Sequence, residues 1–138
     1  TGNDTWDGTS AEWITGTVGP KKTIQSAINV VEANGIIYTA PGTYAEHPII
    51  NKNLALMGAG QNMTFIDGTN NGNMGILGSV VNITGITIQN GNSYYGGGIV
   101  IGSGSTLNII NSTLTSNTAK YGGAIYNEGC TLNIITVI

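Results

Sequence analysis

The sequence predicts an all-β chain wound as a parallel β-helix, a solenoid, with one capping α-helix at its N-terminal end. Three observations predict it. A unit of 25 to 26 residues recurs, its apolar residues alternate at the two-residue period of a strand, and only one segment, ahead of the repeats, carries a helical period.

Residues 1–35 form the N-terminal segment of a single domain spanning 1–138. In PKKTIQSAINVVEANG (20–35), Ile24, Ala27, Ile28 and Val31 follow i, i+3, i+4, i+7. Pro20 stands near the first turn, and Asn34-Gly35 supplies a stop. A solenoid exposes core at its first coil, so this helix is expected to cover it. Residues 36–78 hold divergent first turns, with IIYTA (36–40) as the first strand and NLALMGAG (53–60) opening an early copy.

Residues 79–138 hold the repeats. SVVNITGITIQNGNSYYGGGIV (from 79) aligns without a gap on STLNIINSTLTSNTAKYGGAIY (from 105), and CTLNI (from 130) begins a third copy one residue early. The runs are short and β-branched, and they are punctuated by Gly and Asn, which suit turns and left-handed backbone. Stacking such copies in parallel, about 4.8 Å apart, covers each coil's open edge with the next. The alternation places Ile83, Ile88, Ile109, Leu114 and Ile125 in the core, and Asn82, Asn108 and Asn133 outside as a polar ladder. Ser79, Ser105 and Cys130 share the inward parity, which makes Cys130 a small buried side chain. The Gly122-Gly123 corner is expected to be tight enough for Gly123→Val to harm folding.

Composition narrows function. Arg is absent, four lysines are present, 8% of residues are charged, and the net charge is -3. Phosphate recognition needs a basic footprint, so a nucleic-acid partner is not expected. One cysteine excludes an internal disulfide framework, and no apolar run reaches the 18 residues of a transmembrane helix. The chain begins at Thr1 rather than Met, which reads as a processed mature form or an excised piece.

Two stretches carry a resemblance. KKTIQSAINVVEANGIIYTAPGTYAEHPIINKNLALMGAGQNMTFIDG resembles the opening of right-handed β-helix proteins of the pectin-lyase-like superfamily, particularly adhesin-like surface proteins of methanogenic archaea. LTSNTAKYGGAIYN is similar to the polymorphic outer-membrane-protein repeat through Gly122, Gly123, Ala124, Ile125, Leu114 and Asn117, whereas the preceding copy carries Gly98 and Gly91 in place of the alanine and asparagine. The resemblance implies a right-handed winding and an extracellular, cell-surface location. It also implies enzymes, whose needs differ from what is here. A hydrolase of this superfamily resembles a cluster of aspartates on adjacent turns, yet the chain has only Asp4, Asp7 and Asp67. A polyuronate lyase needs a strong base with cations, and the methylesterases pair aspartates with an arginine. Tyr38, His47, Lys52 and Asp67 are the residual candidates, and Glu46-His47-Pro48 reads as a solvated corner.

The expected function is therefore a non-catalytic surface protein, adhesin-like or structural, without a cofactor. The alternatives are a carbohydrate-binding module and a polysaccharide-active lyase or hydrolase. Tyr95 and Tyr121, one turn apart, are the candidate glycan contacts. Asn3, Asn62, Asn82 and Asn111 stand in N-glycosylation sequons, and Asn3, Asp4 and Asp7 offer oxygen ligands for Ca²⁺ at a spacing that is not that of an EF-hand loop. Leu132, Ile134, Val137 and Ile138 close the sequence in an uncapped apolar run. A strand there is a template for another, so partners are expected to be other copies joined head to tail into a fibre or layer, other surface proteins, or glycans.

Overall fold

Each repeat breaks into short strands because its apolar alternation is interrupted at corners that require left-handed backbone. Gly85, Asn111 and Thr136 occupy one corner in successive coils with φ of 68°, 46° and 50°, and Gly78, Gly104 and Gly129 occupy another with φ of 55°, 76° and 71°. In the computed structural model, which describes all 138 residues, α1 (Ile24–Val30) is followed by β1 (Gly35–Thr39), β2 (Gly42–Ala45), β3 (Ile49–Ile50), β4 (Leu54–Gly58), β5 (Thr64–Asp67) and β6 (Met74–Ile76). The repeats supply β7 (Val80–Thr84), β8 (Thr87–Gln89), β9 (Asn92–Tyr95), β10 (Ile99–Ile101), β11 (Thr106–Thr115), β12 (Thr118–Tyr121), β13 (Ile125–Asn127) and β14 (Thr131–Val137).

These strands form a parallel β-solenoid of about four turns. The first face runs β1, β4, β7, β11 and β14. The second runs β2, β5, β8 and the far half of β11, and the third β3, β6, β10 and β13. Every named pairing is parallel, and the register is the one the repeats predict: Leu107 lies between Val81 and Leu132, and Ile109 between Ile83 and Ile134.

Inward columns of Leu54, Val81 and Leu107, of Leu56, Ile83 and Ile109, and of Ile50, Ile76 and Ile101 make one core of 17 buried residues. Burying each such side chain contributes about 2 kcal/mol against exposure. Polar residues of inward parity are satisfied across coils. Ser79 Oγ donates to the Ile50 carbonyl and Ser105 Oγ to that of Ile76. Cys130 continues the column, its Sγ 2.9 Å from the Gly102 carbonyl oxygen, but it is only half-buried because no coil lies over it. For the same reason Leu114 and Ile125 pack against the core without being sealed into it. Outside, the amide ladder is real: Asn108 Nδ2 donates to Asn82 Oδ1 and Asn133 Nδ2 to Asn108 Oδ1, both at 2.7 Å.

The helix is shorter than the predicted 20–35. Residues 20–22 run alongside the N-terminal segment, with the Asn3 N–H donating to the Pro20 carbonyl, and Val31 leaves the helix at ψ 139°. The seven residues that remain are the ones with a face to bury. Ile24 and Ile28 enter the core, and Ala27 and Val31 pack against it. Gln25 covers the open edge of β3 by accepting from the Ile49 N–H and donating to the Ile49 carbonyl. No helix is long and apolar enough to cross a membrane.

Candidate functional site

The most distinctive exposed cluster sits where β9 and β12 form a two-stranded sheet of their own outside the three faces. Glycines permit this excursion. Gly96 and Gly122 turn at φ of 60° and 65°, and a side chain at Gly97 would collide with the Gly123 carbonyl of the next coil. Gly123 itself has no coil above it, and an added Cβ there meets only the Asn117 carbonyl oxygen at 3.6 Å. The tight position is thus Gly97, or the left-handed Gly122, rather than the expected Gly123. Asn117 ties the same corner together, accepting from the Gly91 N–H and donating to the Ile88 carbonyl.

On this sheet Tyr121 pairs directly with Tyr95. Their rings stack with centroids 5.4 Å apart and planes 19° apart. Tyr94 stands edge-on to both, and Tyr126 leans on Tyr95 at 4.8 Å. Lys120 Nζ lies 5.0 Å from the Tyr94 ring centroid and donates to its hydroxyl. Burial among these neighbours, with Glu128 adding to it, pushes the Tyr126 phenol up. The predicted glycan contacts are therefore adjacent and exposed, but much of their ring surface faces other rings. Sequence reasoning missed Tyr94, Lys120 and Tyr126. The gapless alignment held the signal for the first two, since it sets Lys120 on Tyr94 as surely as Tyr121 on Tyr95.

The acidic residues of the N-terminal half are engaged with backbone and amide groups. Asp4 accepts from the N–H groups of Lys22 and Thr23 and from the hydroxyls of Thr23 and Ser26. Partial burial pushes its carboxyl up, but these hydrogen bonds together outweigh it and hold the group below the usual carboxylate range. Glu46 accepts from the next two N–H groups, those of Ile24 and Gln25, so it is a helix cap rather than the expected solvated corner. Asp7 accepts from Thr9 and Gly19, and Asn3 from Thr5, so the suggested Ca²⁺ ligands each serve a turn or a cap. No group of three or more His, Cys, Asp and Glu side chains is arranged to hold a metal ion.

The residual catalytic candidates each have their own surroundings. Tyr38 is 75% exposed on the outer face of β1, and Lys52 donates to the Val31 carbonyl. His47 Nε2 lies 2.8 Å from the Gly68 carbonyl oxygen. Asp67 accepts from Gln89, Thr69 and Asn90, and the Gln89 amide first among them lowers its carboxyl. Of the sequon asparagines, Asn3, Asn62, Asn82 and Asn111 are all exposed, with Asn82 bonded into the ladder. At the C-terminal coil, β14 pairs only with β11. Leu132 and Val137 are half-buried, and Ile134, Ile135 and Ile138 are exposed.

Comparison of the chain with protein-family models, with curated proteins and with solved structures finds no match in any of the three.

Proposed function

We propose that this chain is a non-catalytic, extracellular component of a cell surface, adhesin-like or structural, whose working part is the solenoid itself. The observation that carries this reading is the use made of its polar side chains. Asn ladders, buried serines, Asn117 and the caps at Asp4 and Glu46 all tie coil to coil or helix to coil. A surface built from stacked neutral amides, with little charge, suits a rod that must persist outside a cell. The resemblance of residues 21–68 to adhesin-like proteins of methanogenic archaea, and of residues 114–127 to the outer-membrane-protein repeat, favours the same location. Antibody labelling of intact source cells tests it: labelling without permeabilisation is expected, and labelling that requires lysis rules it out.

The same reading includes self-association of the 1–138 chain through the free edge of β14, with strands from two copies completing each other's sheet. Ile24, Ile28 and Gln25 cover the first coil, so a head-to-tail fibre has to displace them or seat the incoming strand beside them. Light scattering on the parent and on Ile134→Lys/Val137→Lys decides. Association is expected in the parent and lost in the variant, and a parent that stays monomeric at high concentration removes this part of the proposal.

A second reading, carbohydrate binding, is favoured by the exposed tyrosine corner with Lys120 beside it. Glycan-array binding that vanishes in Tyr95→Ala/Tyr121→Ala would carry it.

A further inference from the structure

We propose that Tyr95 and Tyr121 form a site of oxidative cross-linking, at which a one-electron oxidant of the peroxidase class joins the third coil to the fourth through a carbon–carbon bond between the two phenol rings. Three features carry the inference. The register pairs the residues directly across β9 and β12, so strand geometry holds the rings face to face at 5.4 Å without any backbone movement. Both are open to an outside oxidant, at 44% and 46% exposure. Tyr94 and Tyr126 stand 4.7 and 4.8 Å from Tyr95, so a radical formed on any of the four rings has a short path to the pair.

The chemistry balances with hydrogen peroxide as the terminal oxidant and a haem peroxidase to deliver it. Each phenol gives up one electron and one proton, and the peroxide is reduced to two waters. The resulting phenoxyl radicals carry spin on the carbons ortho to oxygen, and two of these carbons couple. The hydrogens on the bonded carbons then move to the oxygens, which restores two phenols. The chain has lost two hydrogen atoms and gained one bond. That bond closes coil four onto coil three, and it constrains the unfolded chain as any cross-link does.

The positions of the lysines provide the assay. Lys120 is the only lysine after Lys52, so lysine-specific cleavage separates residues 53–120, with Tyr94 and Tyr95, from residues 121–138, with Tyr121 and Tyr126. Dilute 1–138 protein treated with hydrogen peroxide and a haem peroxidase is expected to keep the mass of one chain less two hydrogens. After unfolding and digestion, 53–120 and 121–138 should then appear as one joined species. Tyr95→Phe and Tyr121→Phe keep the stacked ring but cannot form the phenoxyl radical, and each is expected to abolish the joined species. Tyr94→Phe/Tyr126→Phe is expected to retain it. Survival of the joined species in either single Phe variant overturns the assignment, as does equal yield from the urea-unfolded chain or no loss of hydrogen at all.

Discussion

The tetrapeptide Thr-Leu-Asn-Ile occurs at 106–109 and again at 131–134, in the same register on the same face, yet the two copies have different fates. Leu107 and Ile109 are fully buried, while Leu132 is half-buried and Ile134 is 53% exposed. The difference is the coil that lies over the first copy and not over the second. Alternation in a solenoid sequence thus sets which way a side chain points, and the neighbouring coil sets whether it is buried. The first coil answers the same problem by other means. There α1 supplies apolar cover, Gln25 closes the strand edge of β3, and Asp4 and Glu46 satisfy the helix's own N–H groups.

The largest effect that separates interior from end is expected at the glycine corner. Gly97→Val forces a branched side chain into the Gly123 carbonyl and the Thr118 backbone and should cost about 4 kcal/mol or more, enough to prevent folding. Gly123→Val meets no overlying coil and should cost under about 1 kcal/mol. Urea denaturation of the two variants compares them, and similar midpoints would mean that coil three is not clamped by coil four. Next comes the repeated tetrapeptide. Ile109→Ala opens a cavity between coils and should cost about 3 kcal/mol, against under about 1 for Ile134→Ala in the monomer. A large loss at Ile134 would show that something covers β14 in solution.

Much of this contrast was legible beforehand, and the exceptions share a cause. The period fixes register, so the ladder at Asn82, Asn108 and Asn133 and the inward serines follow from alignment alone. What the sequence does not display is any partner brought in from outside the repeat. Glu46 gives no sign locally that it caps a helix 22 residues earlier. The helix looked longer because propensity extends through residues whose backbone is instead bound to Asn3 and Asp4. Gly97 and Gly123 look equivalent as letters, and only the direction of stacking tells them apart. At the tyrosine corner, Tyr94 and Lys120 were aligned all along, but Tyr126 joins through a turn whose path the period does not specify.

A smaller effect belongs to the capped end alone. Glu46→Gln keeps one acceptor oxygen for the Ile24 and Gln25 N–H groups and loses the charge that favours a helix N-terminus, so a loss of about 1 kcal/mol is expected. Thermal unfolding followed through tryptophan should report it first, because both tryptophans, Trp6 and Trp13, lie in the N-terminal segment. A variant that loosens the β-sheet signal before the tryptophan signal would show that the cap does not depend on Glu46.

Acid is expected to have the smallest effect and to act in the same place. The carboxyls of Asp4 and Asp7 lie below their ordinary values in the folded chain, through the Ser26, Thr23 and Lys22 groups around Asp4 and, first of all, the Thr9 N–H at Asp7. A depressed folded value means the native state binds fewer protons than the unfolded one. The stabilisation is therefore complete above the unfolded value and is lost as pH falls through the folded value, a window below about pH 4. Asp67 titrates in the same direction within the second and third coils, but residues 105–138 contain Glu128 as their only acidic side chain. Tryptophan emission should therefore change at a higher pH than the far-ultraviolet sheet signal, with Asp4→Asn removing part of the early phase. Coincident transitions would mean that helix and solenoid unfold as one unit, and that the two ends, for all their difference in cover, are coupled through the whole stack.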